Sequence, residues 1–212
     1  MSANELVVAV VLTLLSYVVG SIPFGIVVAR LTGAPDPRTV GSGRTGGTNA
    51  LRAMGRRRAL VVVTGDVLKG AVPVLVARAL TGNAAVEVLC GLAAILGSTR
   101  SMFAGFRSGR GVATSVGTML VIFPPAILVG APVFIGVILV TRYVSLGSLL
   151  SITAGAVLVG VWWLAANGSV PFAYPVYATL GTILVWLAHA DNVERLIHGT
   201  ERRFDLGLLE RD

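Results

Sequence analysis

The chain has 212 residues, of which 55% are hydrophobic and 13% charged, and its mean hydropathy is +0.84. Because an ordinary soluble domain carries roughly 25% charged residues, this composition excludes a soluble enzyme and a disordered chain and indicates a membrane protein. The 17 Lys and Arg residues outnumber the 10 Asp and Glu residues. In a soluble protein such an excess of positive charge would suggest nucleic-acid binding. In a membrane protein it first indicates how the chain is oriented across the membrane, so we expect no nucleic-acid partner.

Apolar runs predict an all-α polytopic membrane protein with about seven transmembrane helices and short motif-bearing loops. The first run extends from Glu5 to Arg30 and should kink or unwind at Pro23. The later runs are Ala59–Leu80, Ala84–Gly97, Val112–Thr141, Val144–Ala166 and Pro175–Leu187. We expect residues 1–212 to form a single integral-membrane domain.

The uncharged run Val112–Thr141 allows either one long span or two short ones, with a turn near Pro124-Pro125 or Gly130–Pro132. Two spans would place 15 of the 17 cationic residues on one side, and the positive-inside rule therefore favours two. The amino terminus then lies outside and the tail in the cytoplasm. The tail contributes Arg195, Arg202, Arg203 and Arg211 to this count.

The first polar segment, residues 41–52, reads GSGRTGGTNALR. Glycines let backbone N–H groups converge on an anion, and Arg52 offers a planar fork to phosphate oxygens. The Gly-Lys-Ser/Thr ending of a P-loop is missing. The alternative is a flexible cytoplasmic linker with orienting arginines.

The second polar segment, residues 106–114, reads FRSGRGVAT and leads into the fourth span. Glycines before a helix N-terminus, with arginines nearby, again describe an anion cradle. Two cradles on one face suggest two phosphates. The alternative is a capped loop with orienting charges.

Ionisable residues inside a span are functional candidates, and Asp66 and Lys69 lie three residues apart in the second span. The alternative is a self-neutralising pair that packs against the bundle. The lone Cys90 excludes an internal disulfide and a multi-cysteine metal site.

The tail segment, residues 189–201, reads HADNVERLIHGTE. His189 and Asn192 would share one face of a continuing helix, and His189 could transfer a proton near neutral pH. The alternative is an interfacial histidine that ends a helix. No third ligand accompanies His189 and His198, so we expect no metal site.

Together these segments, with SIPFG at 21–25 and GDVLKG at 65–70, resemble the bacterial acyl-phosphate:glycerol-3-phosphate acyltransferases, the PlsY family. The resemblance covers nearly the whole chain. It implies an enzyme of the bacterial cytoplasmic (inner) membrane with its active site facing the cytoplasm.

The resemblance also implies the reaction. A fatty acyl group would pass from acyl phosphate to the 1-hydroxyl of glycerol 3-phosphate, giving lysophosphatidic acid and phosphate in phospholipid biosynthesis. Membrane lipid surrounds such an enzyme, and no cofactor, coenzyme A or acyl carrier protein is expected. Because the mixed anhydride is already activated, positioning and charge neutralisation can supply most of the catalysis.

Site residues follow from the matching positions of the family motifs. The expected catalytic residues are Ser42, Arg110 and His189. The expected substrate-binding residues are Thr48, Asn49, Arg52, Lys69, Gly109, Gly111, Thr114, Ser148 and Asn192.

Two departures from the family pattern bear on specificity. Arg44 stands where the family has Asn. If Arg44 faces the pocket, it should favour a more anionic acceptor or bind phosphate more tightly. If it faces the lipid headgroups, it would only anchor the loop. Ser98 stands where the family has His and cannot titrate, so pH dependence near neutrality would have to come from His189.

Two other functions stay open on the sequence. One is a paralogous acyltransferase with another polyol-phosphate acceptor. The other is a membrane transporter of a phosphorylated metabolite, which needs polar groups along a path through the membrane. The outer side offers only Asn83, Glu87, Asn167 and Ser169.

Overall fold

The computed structural model describes residues 2–167 and 169–209, and within them every regular element is helical. The α-helices are α1 (Ala3–Gly20), α2 (Phe24–Thr32), α3 (Gly47–Thr81), α4 (Ala84–Thr99), α5 (Val112–Ile122), α6 (Pro125–Thr141), α7 (Val144–Ala165), α8 (Ala173–Ala188) and α9 (Ala190–Ile197). Short 3₁₀ turns lie at Pro37–Thr39, Met102–Ala104 and Leu206–Leu209.

Seven of these helices are apolar, as the sequence predicts. Four reach the length and hydropathy needed to cross a membrane: α1, α3, α7, and α4 together with the turn that follows it. The shorter α5, α6 and α8 complete the seven. Arg211, counted in the basic tail, lies outside the described residues.

Both predicted interruptions of apolar runs are confirmed. The first run breaks at Ser21–Pro23, where α1 ends and α2 begins. The run Val112–Thr141 forms two helices separated by Phe123 and Pro124, and proline at the start of α6 suits a helix N-terminus because its missing N–H would have no partner there. The predicted division of this run in two is therefore confirmed, although α5 and α6 are both shorter than the four helices long enough to cross a membrane.

The second apolar helix differs from expectation at its start. The sequence predicts an apolar run that begins at Ala59, but α3 begins at Gly47, inside the first polar segment. Gly55 interrupts α3 with φ 79° and ψ 175°, a conformation that a residue without Cβ adopts without strain. The residues from Gly47 to Met54 thus form a short helical piece that is turned relative to the long apolar part.

Helices α1 and α4 pack closely through glycines. A Cβ at Gly20 would overlap the backbone of Ala94, and a Cβ at Gly97 would overlap the carbonyl oxygen of Tyr17. Small residues let helix backbones approach in a membrane, where packing rather than the hydrophobic effect drives association. This contact carries the end of α4, and with it Ser98, into the site described below.

We predict that Gly97→Ala destabilises the protein by about 1–3 kcal/mol, the usual effect of overpacking. Gly136→Ala is the matched control, because a Cβ there meets nothing within 4 Å. Alanine in an open helical position should be neutral or favourable. Thermal unfolding in detergent measures both variants, and equal stability of the two would contradict the close contact.

Candidate active site

A cavity of about 460 Å³ lies where the polar segments meet the ends of α5, α7 and α8. Its mouth is polar and cationic, with Arg44, Arg52 and Arg110 in the lining. Its inner part runs between α5, α6, α7 and α8 and is lined by Met119, Ile127, Phe134, Ile152 and Ala178, among others. The cavity therefore joins a cationic entrance to an apolar channel.

Asn49 holds the first polar segment together. Its Nδ2 donates to the carbonyl oxygens of Val40 and Arg44, each at 3.0 Å, and to the Ser42 hydroxyl at 3.1 Å. Its Oδ1 accepts from the Arg52 guanidinium at 3.3 Å. Asn49 lines the cavity, but its buried amide is used within the loop, so its geometry fits a positioning role for Ser42 and Arg52.

Buried hydroxyls connect the two polar segments to the bundle. The Thr45 and Ser108 hydroxyls lie 2.9 Å apart and join the first segment to the second. Thr114, in the first turn of α5, donates to the Ser98 hydroxyl at 2.9 Å. Gly109 donates its backbone N–H to the Ser98 carbonyl, so that N–H is already engaged. Ser98 therefore positions the second segment.

Arg110 is held from the opposite side of the site. Its guanidinium forms two parallel 2.9 Å bonds to the Asp191 carboxylate and a 3.1 Å bond to the Ala188 carbonyl. Burial lowers the pKa of Arg110, and Asp191 opposes that effect. Burial would by itself raise the pKa of Asp191, but Arg110 and Arg195 together outweigh it and hold that pKa below its ordinary value. Both groups are therefore charged at neutral pH.

The segment after α9 folds back over the mouth. Glu201 accepts from the Asn192 amide at 2.9 Å and from Arg195 Nε at 2.9 Å. Glu201 and Arg202 both line the cavity. Further on, the Phe204 N–H donates to the carbonyl of Arg142 between α6 and α7 at 2.6 Å. The tail segment thus connects α9 to the α6–α7 hairpin across the entrance.

Three buried side-chain atoms in the lining have no hydrogen-bond partner within the described residues: Ser115 Oγ, Ser145 Oγ and Asn192 Oδ1. Buried polar atoms are nearly always paired with protein or water. The two hydroxyls can donate or accept a hydrogen bond, whereas Asn192 Oδ1 can only accept one.

His189 lies at the junction of α8 and α9 and lines the cavity. Its Nδ1 lies 2.8 Å from the Val185 carbonyl oxygen, so Nδ1–H donates and Nε2 keeps its lone pair. Burial lowers the pKa of His189 to about 4. Burial and the nearby Arg110 and Arg44 disfavour the imidazolium, so the structure does not favour His189 as a source of pH dependence near neutrality, and its role in proton transfer stays a prediction. The two helices meet at His189 rather than forming one continuing helix.

Lys69 does not join the other predicted site residues in the cavity lining. Its ammonium lies 2.6 Å from Asp66 Oδ1, donates to the Ile22 carbonyl oxygen at 2.9 Å, and stands over the Phe24 ring. The geometry fits the self-neutralising alternative, with Lys69 satisfying a carbonyl freed where α1 breaks.

The remaining predicted site residues do converge on the cavity: Ser42, Thr48, Asn49, Arg52, Gly109, Arg110, Gly111, Thr114, Ser148, His189 and Asn192. Arg44 also lines it, which fits the pocket-facing alternative rather than the lipid anchor. Two residues of the site were not among those predicted: Asp191, which holds Arg110, and Glu201, which holds Asn192. The only sequence signal for these two acidic residues was the density of charged residues in the tail segment.

Comparisons with known proteins bear on this site. A family model described as glycerol-3-phosphate acyltransferase matches residues 10–199. The chain belongs to the glycerol-3-phosphate acyltransferase family. The predicted resemblance to this family is confirmed.

Relatives and solved structures cover nearly the full length of this acyltransferase. It is 41% identical to a glycerol-3-phosphate acyltransferase of Geobacter sulfurreducens (95% of this chain, 98% of the relative) and 45% identical to one of Thermus thermophilus (90% and 92%). The crystal structure of PlsY, an integral membrane glycerol 3-phosphate acyltransferase, in its glycerol 3-phosphate form superposes with a TM-score of 0.83. That match has 36% identity and covers 93% of this chain and 96% of the other.

We predict that Arg52→Ala and Arg110→Ala each reduce turnover by at least tenfold while the protein stays folded. We expect each arginine to contribute a charge-assisted hydrogen bond to a substrate phosphate, a contact worth about 1.5–3 kcal/mol. Steady-state kinetics beside thermal unfolding check this. Arg38→Ala is the control, since that arginine pairs with Asp36 at the surface. Wild-type activity in both cavity variants would contradict an arginine-lined anion site.

We also predict that the ratio of wild-type to His189→Gln kcat/KM stays constant from about pH 8 down to about pH 5.5, because kcat/KM reports the free enzyme. His189 is neutral over that range, and its protonation begins only as the pH approaches about 4. A change in this ratio with a midpoint between about pH 6 and 7, the ordinary range of histidine, would contradict the buried neutral imidazole.

Proposed function

We propose that this acyltransferase transfers a fatty acyl group from acyl phosphate to the 1-hydroxyl of glycerol 3-phosphate, giving lysophosphatidic acid and phosphate. The observation that carries the proposal is the single cavity that joins an arginine-lined mouth to an apolar channel. An acyl phosphate has the same two parts, a phosphate head and an alkyl chain. The second substrate adds another phosphate, which a mouth with several arginines can accept.

The mouth offers donors for two phosphate groups. Arg52 and Ser42 lie on the first polar segment, and Arg110 stands beside the first turn of α5. The first-turn N–H groups of a helix have no partner within the helix and favour an anion. We place the acceptor phosphate against the first segment and the donor phosphate against the second.

The reaction then needs one displacement. The glycerol 1-oxygen bonds to the acyl carbonyl carbon, the bond from that carbon to the phosphate oxygen breaks, and phosphate leaves with the electron pair. Arg110 and the N–H groups of α5 stabilise the charge that develops on the leaving phosphate. The hydroxyl proton passes to a base.

Two groups are candidates for the base that accepts this proton. His189 is neutral and keeps a lone pair on Nε2, which suits a general base. A phosphate oxygen of the substrates is the other. The comparison of wild type with His189→Gln across pH concerns only His189.

Acyl phosphate suits this mouth better than an acyl thioester. In acyl phosphate the charged group is bonded directly to the reacting carbonyl through oxygen, so arginines at the neck of the channel neutralise the leaving group itself. A thioester would place an uncharged sulfur there. We therefore expect neither coenzyme A nor acyl carrier protein to be needed.

We place the protein in the bacterial cytoplasmic membrane with the cavity mouth facing the cytoplasm. The arginine-rich segments around residues 30–58, 100–110 and 142, and the tail after α8, belong to one end of the bundle. The positive-inside rule puts that end in the cytoplasm. Residues 1–212 act as one integral-membrane domain.

Arg44 favours one alternative, an acceptor other than glycerol 3-phosphate. It lines the mouth and adds a cation to a site that already holds Arg52 and Arg110. A more anionic polyol phosphate would gain from that charge.

The assay that tests the proposal supplies purified protein with palmitoyl phosphate and a panel of phosphorylated polyols, and measures phosphate release and acylated product. We expect lysophosphatidic acid from glycerol 3-phosphate, no product from palmitoyl coenzyme A, and at least tenfold less product from Arg110→Ala. A different preferred acceptor would support the paralogue, and the absence of acyl transfer to every acceptor would contradict the proposed function.

A further inference from the structure

The apolar channel has a closed inner end. The innermost lining residues on α6 and α8, Ala126 and Tyr177, belong to the packed hydrophobic core, and so do the residues that follow the lining on α5 and α7. That core includes Ile122 and Phe123 after α5 residue Met119, and Val159 after Gly155 on α7. Val159 is 1% exposed and does not line the cavity, so the lining face of α7 ends at Gly155, one turn before the packed core.

Three residues from three helices form the end wall: Ala126 of α6, Gly155 of α7 and Tyr177 of α8. Tyr177 is fixed in place because its hydroxyl hydrogen-bonds the Thr118 hydroxyl. Its ring also rests on α4 at Gly91, where a Cβ would approach the ring to 2.9 Å. The wall cannot retreat without repacking the core.

Gly155 occupies the critical place in this wall. Ser145, Ser148, Ile152 and Gly155 follow one another on a single face of α7 and all line the cavity. At about 1.5 Å per residue, Gly155 lies about 15 Å further in than Ser145. A Cβ at Gly155 would meet only Ala126, whose carbonyl oxygen and Cβ lie at 3.5 and 3.6 Å, so a larger side chain would extend into the channel.

We propose that Gly155 is a specificity-determining residue that sets the longest acyl chain the donor site accepts, with Ala126 and Tyr177 as the rest of the end wall. This inference rests on the proposed function, since it assumes that the alkyl chain of the donor fills the channel. A side chain at position 155 would exclude the terminal methylene groups of a long donor. Each excluded methylene is worth about fourfold in affinity.

The test measures kcat/KM for a series of saturated acyl phosphates from octanoyl to stearoyl, with wild type, Gly155→Ala, Gly155→Leu and Gly160→Leu. Gly160 is the matched control, because it lies on the same helix and a Cβ there meets nothing within 4 Å. Gly155→Leu should lower the ratio of long-donor to octanoyl kcat/KM at least tenfold. Gly155→Ala should change it in the same direction by less, and Gly160→Leu should leave it within about twofold.

The rate with octanoyl phosphate shows whether each variant is folded and active, because this short chain ends before it reaches the end wall. If Gly155→Leu is inactive with every donor, Gly155→Ala decides, and an unchanged donor profile in that folded variant overturns the inference. If the wild type transfers acyl groups but shows the same dependence of kcat/KM on donor chain length as Gly155→Leu, the inference is overturned and the proposed function stands. A wild type inactive with every donor contradicts the proposed function, and the inference with it.

Discussion

The burial of arginine charge at the neck of an apolar channel is the constraint on which the rest of the site depends. A guanidinium in such a place needs partners, because a buried unpaired charge is costly. Arg110 finds them in the Asp191 carboxylate and the Ala188 carbonyl, contributed from the end of α8 and from α9. These bonds anchor the start of α9 to the second polar segment, and Glu201 then holds the following tail segment against α9.

The same need explains why distant segments are joined by buried polar contacts. Thr45 and Ser108 couple the two glycine-rich segments, and Thr114 couples the second to Ser98 at the end of α4. Asn49 orders the first segment from within. The loops are thus held rigidly enough to present their donors in one place, which catalysis by positioning requires.

The sequence predicted the apolar helices, the break before Pro23 and the split of Val112–Thr141, because hydropathy and proline act locally. All the predicted site residues except Lys69 line one cavity, and their positions came from the family motifs. It missed the Arg110–Asp191 pair, whose members lie 81 residues apart and meet only through the fold. The start of α3 at Gly47 was missed because glycine disfavours helix and tertiary packing overrode that preference. The neutral state of His189 depends on burial, which no local pattern reveals.

The account's central claim is that one cavity receives a phosphate at its mouth and an alkyl chain in its channel. A crystal structure with a palmitoyl phosphonate, in which carbon replaces the bridging oxygen of the donor, tests it most directly. We expect phosphonate oxygens within hydrogen-bond distance of Arg110 or of the first-turn N–H groups of α5, and the chain extending between α5 and α8 toward Gly155. A headgroup bound away from the arginine-lined mouth, or a chain lying on the outer surface of the bundle, would contradict the account.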